Sequence, residues 1–148
     1  MNKTLALYQR SVQKMYCYGT PLLLLFTRFW VASVFFKSGY LKITTWDSTL
    51  YLFEEEYQVP FLPWEMAAYL GTAAELIIPV FLLLGLFTRP MAAVLFAFNI
   101  MAVVSYPQLW EGGFYDHQLW GLMMLINLFW GAGVISIDQL LKKHFLIK

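Results

Sequence analysis

Polar positions cut this chain into long apolar runs, at about residues 21–43, 63–86, 90–106 and 115–133. Each run approaches the ~20 residues with which a helix crosses a bilayer core, the third being the shortest. Unbroken runs of this length, without strand-like alternation, predict an all-α membrane protein: a four-transmembrane-helix bundle. Ahead of them, Leu5, Tyr8, Val12 and Met15 share one helical face, and Lys3, Arg10 and Lys14 lie mostly elsewhere. That pattern predicts an amphipathic helix lying on the membrane surface. Gly19-Thr20-Pro21 should end it and open the first span, with glycine suited to a helix end, threonine to a cap and proline to a first turn. Between spans one and two, Trp46, Leu50, Phe53 and Tyr57 recur at helical spacing and predict a second surface helix with an acidic face. Ser136-Ile137-Asp138-Gln139 has capping-box form and announces a short basic tail helix. The expected organisation is an N-terminal surface helix over 1–19, a four-span unit over 20–135 and a tail over 136–148.

Composition agrees with a membrane setting. Only 13% of the 148 residues are charged, about half the share of a soluble domain. A net charge of +1 offers nothing to nucleic acid. Cys17 is the only cysteine, which excludes an internal disulfide or dithiol relay. No cleavable signal is expected, because the first twenty residues are too polar. Four spans put both termini on one side, with Lys3, Arg10, Lys14, Arg89, Lys142, Lys143 and Lys148. The other side holds Asp47, Glu54, Glu55, Glu56, Glu65, Glu111 and Asp116, with Lys42 as the nearby cation. The positive-inside rule therefore predicts cytoplasmic termini. Aromatics crowd the outer end, as an interfacial belt or the wall of a pocket.

Two layers of polar residues are expected at depth. Counted at ~1.5 Å per residue from the cytoplasmic end of each span, Arg28 lies ~10 Å in, Glu75 ~16 Å, Asn99 ~14 Å and Asn127 ~9 Å. Arg28 is the cation within axial reach of Glu75. Three readings stay open: a buried Arg28–Glu75 pair with two asparagines as structural glue, a proton path or head-group site, or Arg28 snorkelling back to the cytoplasm. Ala67, Ala68 and Gly71 form a small-residue stripe beside Glu75, for packing within the chain or as the seam of a homodimer. On the same scale Lys37, Tyr69, Tyr106, Asp116 and His117 form an outer layer at ~23–26 Å. Lys37 points away from the Arg28 face, towards lipid head groups, whereas Gly39 and Lys42 share that face. His117 titrates near neutrality and can relay a proton, or it simply anchors its span. The catalytic candidates are thus Glu75, His117 and Asp116. Zinc needs three or four protein ligands, which Glu111, Asp116 and His117 supply only by folding back, so no metal site is expected. His117 and His144, at opposite ends, do not make a haem pair.

Several segments together resemble the DoxX family of small four-span membrane proteins. They are Arg28, then FFKSGYLK with Gly39 and Lys42; Val59-Pro60; Glu75; LLLGLFTRP; and GAGVISID, where Gly131-Ala132-Gly133 stands for the usual Gly-Pro-Gly. The resemblance implies the cytoplasmic (inner) membrane of a bacterium or archaeon. For some members it implies electron delivery from a sulfur compound to quinone, with membrane or periplasmic protein partners. The expectation is a subunit of a quinone-linked oxidoreductase system without an intrinsic cofactor. The alternative is a non-catalytic scaffold or small-solute carrier. Leu-Phe-Thr-Arg also occurs twice, ending at Arg28 and Arg89. Arg89, before Pro90, reads as a topology charge, whereas Arg28 sits deeper and needs a partner.

Overall fold

A computed structural model describes residues 3–146, so Lys148 and the outermost residues of both expected terminal segments lie outside the described region. All the regular structure among the described residues is helical. The elements are α1 (Lys3–Lys14), α2 (Thr20–Thr44), α3 (Trp46–Glu55), α4 (Trp64–Leu84), α5 (Thr88–Ser105), α6 (Leu109–Gly112), α7 (Phe114–Trp130) and α8 (Ile137–Leu146). α4 packs on α2 and α5, and α7 packs on α5 and α2, which closes a ring of contacts. Thr4–Thr44, Trp64–Leu84 and Thr88–Ser105 are long and apolar enough to cross a membrane, and α7 has 17 residues.

The core is built from one seam per helix. On α2 the buried positions are Leu24, Thr27, Arg28, Val31, Ala32, Phe35 and Gly39, and on α4 they include Ala68, Thr72, Glu75, Pro79 and Leu82. These spacings of three and four trace one helical face. Val31, Phe35, Leu82, Ala92, Leu95 and Met124 make the apolar centre. The seams also carry the polar residues, whereas Leu22, Phe29, Ile77, Ile100 and Leu122 face outward. This inverts the soluble pattern, as a lipid environment demands: apolar side chains are solvated by hydrocarbon, and polar groups find partners inside.

The expected break at Gly19-Thr20-Pro21 is absent. Gly19 and Thr20 have helical backbone angles, and a π-helical turn over Met15–Gly19 joins α1 to α2. Proline cannot donate to the carbonyl four residues back, and its ring crowds that carbonyl. The wider π turn just upstream accommodates both problems without ending the helix. Pro21 therefore does not mark where the first span begins. The small-residue stripe packs inside the chain: Phe53 of α3 clusters with Ala67 and Ala68, and a Cβ on Gly71 would lie 3.5 Å from the Phe53 ring. α3 is thereby held against the start of α4, with Asp47, Glu54 and Glu55 exposed on its other side.

Candidate functional site

Arg28 takes neither route read from the sequence. Its side chain is fully buried and does not pair with Glu75. It turns back towards the N-terminus of α2 and ends on carbonyls. Nε donates to Leu24 O at 3.4 Å, Nη1 to Leu83 O at 3.4 Å and Nη2 to Ile135 O at 2.6 Å. The reason lies at the end of α4, where the last carbonyls lack helical donors. Gly85, at φ 67°, allows a C-terminal turn in which Leu86 N–H reaches Phe81 O and Gly85 N–H reaches Leu82 O. Leu83 O falls to Arg28, whose charge also suits the negative end of the helix dipole. Asp138 completes this end. Its N–H donates to Gly85 O at 2.8 Å, and its carboxylate accepts from Phe87 N–H at 2.8 Å and Thr88 N–H at 3.0 Å. It thus caps α5 from 50 residues away and holds Phe87 at φ 50°. Ser136 Oγ accepts from Gln139 N–H at 3.2 Å, as its capping spacing predicts. The LLLGLFTRP and GAGVISID segments are therefore one closure around a buried guanidinium.

Glu75 pairs instead with Lys42, at 2.6 Å. Gly39 makes this possible. A Cβ there would lie 2.9 Å from Glu75 Cβ, so the missing side chain brings α2 and α4 close at this level. Lys42 stands almost one turn further along α2, and its side chain leans towards the helix N-terminus. Its Nζ donates to Ser38 Oγ at 2.9 Å and to the Glu75 carboxylate. An ammonium has three donors, so one remains for a ligand.

This pair faces a cavity of about 260 Å³ between α4 and α5, lined mostly by apolar residues that include Leu70, Ala74, Phe98 and Met101. Phe53, Tyr57 and Tyr106 form a stack with centroids 4.5 and 4.6 Å apart, and Phe53 and Tyr57 line the cavity. Gln58 N–H donates to Ser105 O at 2.7 Å and Tyr106 Oη–H to Glu56 at 2.9 Å, which ties the α3–α4 connection to the end of α5. The Tyr57 hydroxyl is pushed up to about 12, by burial first and then by Glu75, Tyr106 and Glu56. That of Tyr106 is raised by its bond to Glu56, then by burial. Ser105 Oγ, also lining the cavity, is buried without a hydrogen-bond partner.

Asn99 leaves the inner layer to which counting assigned it. Its Nδ2 donates to His117 O at 3.0 Å, so the amide oxygen must face the imidazole. His117 Nδ1–H donates to that oxygen at 2.7 Å, which leaves Nε2 an acceptor in the neutral ring. His117 also meets the edge of Trp120 and lines a second, apolar groove of about 450 Å³ between α5 and α7. Asn127 stays at the inner level, where its Nδ2 donates to Thr27 Oγ1 at 2.9 Å and to Met123 O at 2.8 Å. Lys37, Tyr69 and Asp116 are exposed outside both cavities, and Tyr69 packs on Trp46. Of the binding candidates, then, the structure gathers Lys42 with Glu75, and Asn99 with His117. It sends Arg28 and Asn127 to the other end. Ser38, Tyr57 and Ser105 were not anticipated as site residues; Ser38 lies one turn before Lys42 on the same face. No group of three His, Cys, Asp or Glu that could hold a metal ion comes together among the described residues.

The DoxX family profile matches residues 23–107, a stretch that contains Arg28, Gly85 and every residue lining the Lys42–Glu75 cavity. A Haemophilus influenzae protein described as uncharacterized is 30% identical over 142 residues, covering 89% of this chain and 91% of that protein. No solved structure matches the chain. The profile match, the relative and the buried polar seams within lipid-facing helices lead to one assignment: the chain belongs to the DoxX family of membrane proteins.

Proposed function

We propose that this protein is the membrane subunit of a quinone-linked oxidoreductase system, and that the Lys42–Glu75 cavity receives the quinone head group. The observation that carries the reading is an ion pair at the wall of a mostly apolar, aromatic-lined cavity among helices expected to lie in lipid. About 260 Å³ is below the roughly 300–1,000 Å³ of a typical drug-sized pocket. It suits one ring, with an isoprenoid tail leaving past Leu70 and Met101. The third N–H of Lys42 would donate to a quinone carbonyl oxygen, the Glu75 carboxylate would accept a hydrogen bond from a quinol hydroxyl, and the Ser105 hydroxyl would supply a second polar contact. The aromatic stack keeps water out. When bound, the head group would take up two electrons and two protons to become the quinol, the electrons passing to it from a donor, a sulfur compound on the family's example, by way of the partner protein that oxidises it. α7, ~26 Å long at 1.5 Å per residue, is proposed as a fourth span. With that span, the basic residues Arg10, Lys14, Arg89, Lys142 and Lys143 support a topology with both termini in the cytoplasm, in the inner membrane that the family implies.

The test is binding followed by turnover. A short-tailed quinone should quench tryptophan fluorescence of the purified protein, and Glu75→Gln should weaken that binding more than His117→Ala does. With proteins encoded beside it and a panel of sulfur donors, quinone reduction should follow. No quinone binding, or no reduction across the panel with partners present, refutes the reading. A scaffold is the second reading, favoured by the exposed Asp47, Glu54 and Glu55 on α3. It predicts a stable partner recovered from membranes and full function in Glu75→Gln.

A further inference from the structure

Beyond the end of α7, α8 exposes Leu140, Leu141 and Phe145. Beside it a cavity of about 1030 Å³ runs between α8, the Phe87–Pro90 turn and the loop after α7. Arg89 and Lys142 enter its lining from different elements. Arg89 commits Nη2 to Phe129 O at 3.2 Å. A guanidinium has five N–H donors, so most of its fork remains. Asp138 is the one carboxylate in the lining, and both of its oxygens are engaged by Phe87 and Thr88 N–H. Two cations thus share a cavity whose acid is already occupied. Trp130 and Phe145 form an apolar rim, 66% and 72% exposed.

We propose that this cavity binds an anionic phospholipid, with the phosphate between Arg89 and Lys142 and the acyl chains along Trp130 and Phe145. The guanidinium fork matches phosphate oxygens and the ammonium adds a point charge. A choline head group would bring its own cation against the same two, so charge selects an anionic lipid. The first turn of α8 is bonded through Asp138 to Gly85 and to the start of α5. An occupied site therefore braces the same closure that Arg28 holds from inside.

The test uses the full chain in dodecyl maltoside micelles doped with phosphatidylglycerol or phosphatidylcholine, or given inorganic phosphate. Phosphatidylglycerol should raise the thermal midpoint, and the other two should not. Arg89→Gln with Lys142→Gln should weaken the response to phosphatidylglycerol about 30-fold in lipid concentration, from two surface cations. Lys143→Gln, outside the lining, should keep it. An equal shift with phosphatidylcholine, a shift with inorganic phosphate, or an equal loss in Lys143→Gln overturns the proposal. Native mass spectrometry of the wild-type chain covers the case in which the double variant does not fold. Retention of phosphatidylglycerol over phosphatidylcholine supports the site, and equal retention overturns it.

Discussion

Cutting the Lys42–Glu75 bond from either side should have unequal cost. The side chains are 17% and 8% exposed, and breaking a buried pair costs about 3–5 kcal/mol because a charge is stranded. The two survivors differ in where they can go. Lys42 lies two residues before the end of α2, and its stem can swing to head-group level once released. Glu75 lies ~16 Å along α4 from Trp64 and has no such route. Glu75→Gln should therefore cost about 2 kcal/mol, below that range, and Lys42→Met about 4 kcal/mol, within it. The double variant strands no charge and should cost about 2 kcal/mol, a coupling of about 4 kcal/mol. The assay is unfolding of the purified protein by sodium dodecyl sulfate in mixed micelles, followed by circular dichroism. Additivity within about 0.5 kcal/mol, or Glu75→Gln costing more than Lys42→Met, would refute the geometry. Arg28→Met combined with Glu75→Gln should be additive, because Arg28 is bonded to carbonyls elsewhere.

Gly85→Ala should lower stability by about 2 kcal/mol or more, since it combines left-handed strain with a Cβ that overlaps the Arg28 guanidinium; an unchanged thermal midpoint would contradict that contact. Asp138→Ala removes a cap made of two backbone bonds and should cost about 1–2 kcal/mol, with hydrogen exchange rising first at Phe87 and Thr88; exchange unchanged there would refute the capping role. Tyr57 gives a pH signature. Its hydroxyl is pushed up to about 12, so the unfolded chain, at about 10, loses that proton first. The stability it contributes is whole below about pH 10 and declines as pH rises towards 12. Tyr57→Phe should flatten the alkaline loss between these values, and an unchanged slope would count against the burial of that ring.

Hydrophobic periodicity determined a great deal without any structure. The four expected runs differ from α2, α4, α5 and α7 by three residues or fewer at each end, because run length and Gly, Pro and Ser punctuation act locally. The same locality explains the Ser136 cap and the shared helical face of Trp46, Leu50 and Phe53, whereas the seating of Phe53 on α4 came only from the packing. The shared face of Arg28, Gly39 and Lys42 was also readable, since it follows from helical period alone. Partner choice was not. Counting depth from each run's own end assumes that the helices start level, and α1 running through into α2 removes that reference at Pro21. Stagger between α2 and α4 depends on where their backbones approach closely, as at Gly39 against Glu75, which is a contact between distant segments. That stagger puts Lys42 beside Glu75 and Arg28 at the end of α4, and the separate offset of α5 against α7 puts Asn99 beside His117. The chain alone therefore determined which residues had to be buried and on which face. Only the packing decided which charge each would meet, because axial offset is a property of pairs of helices.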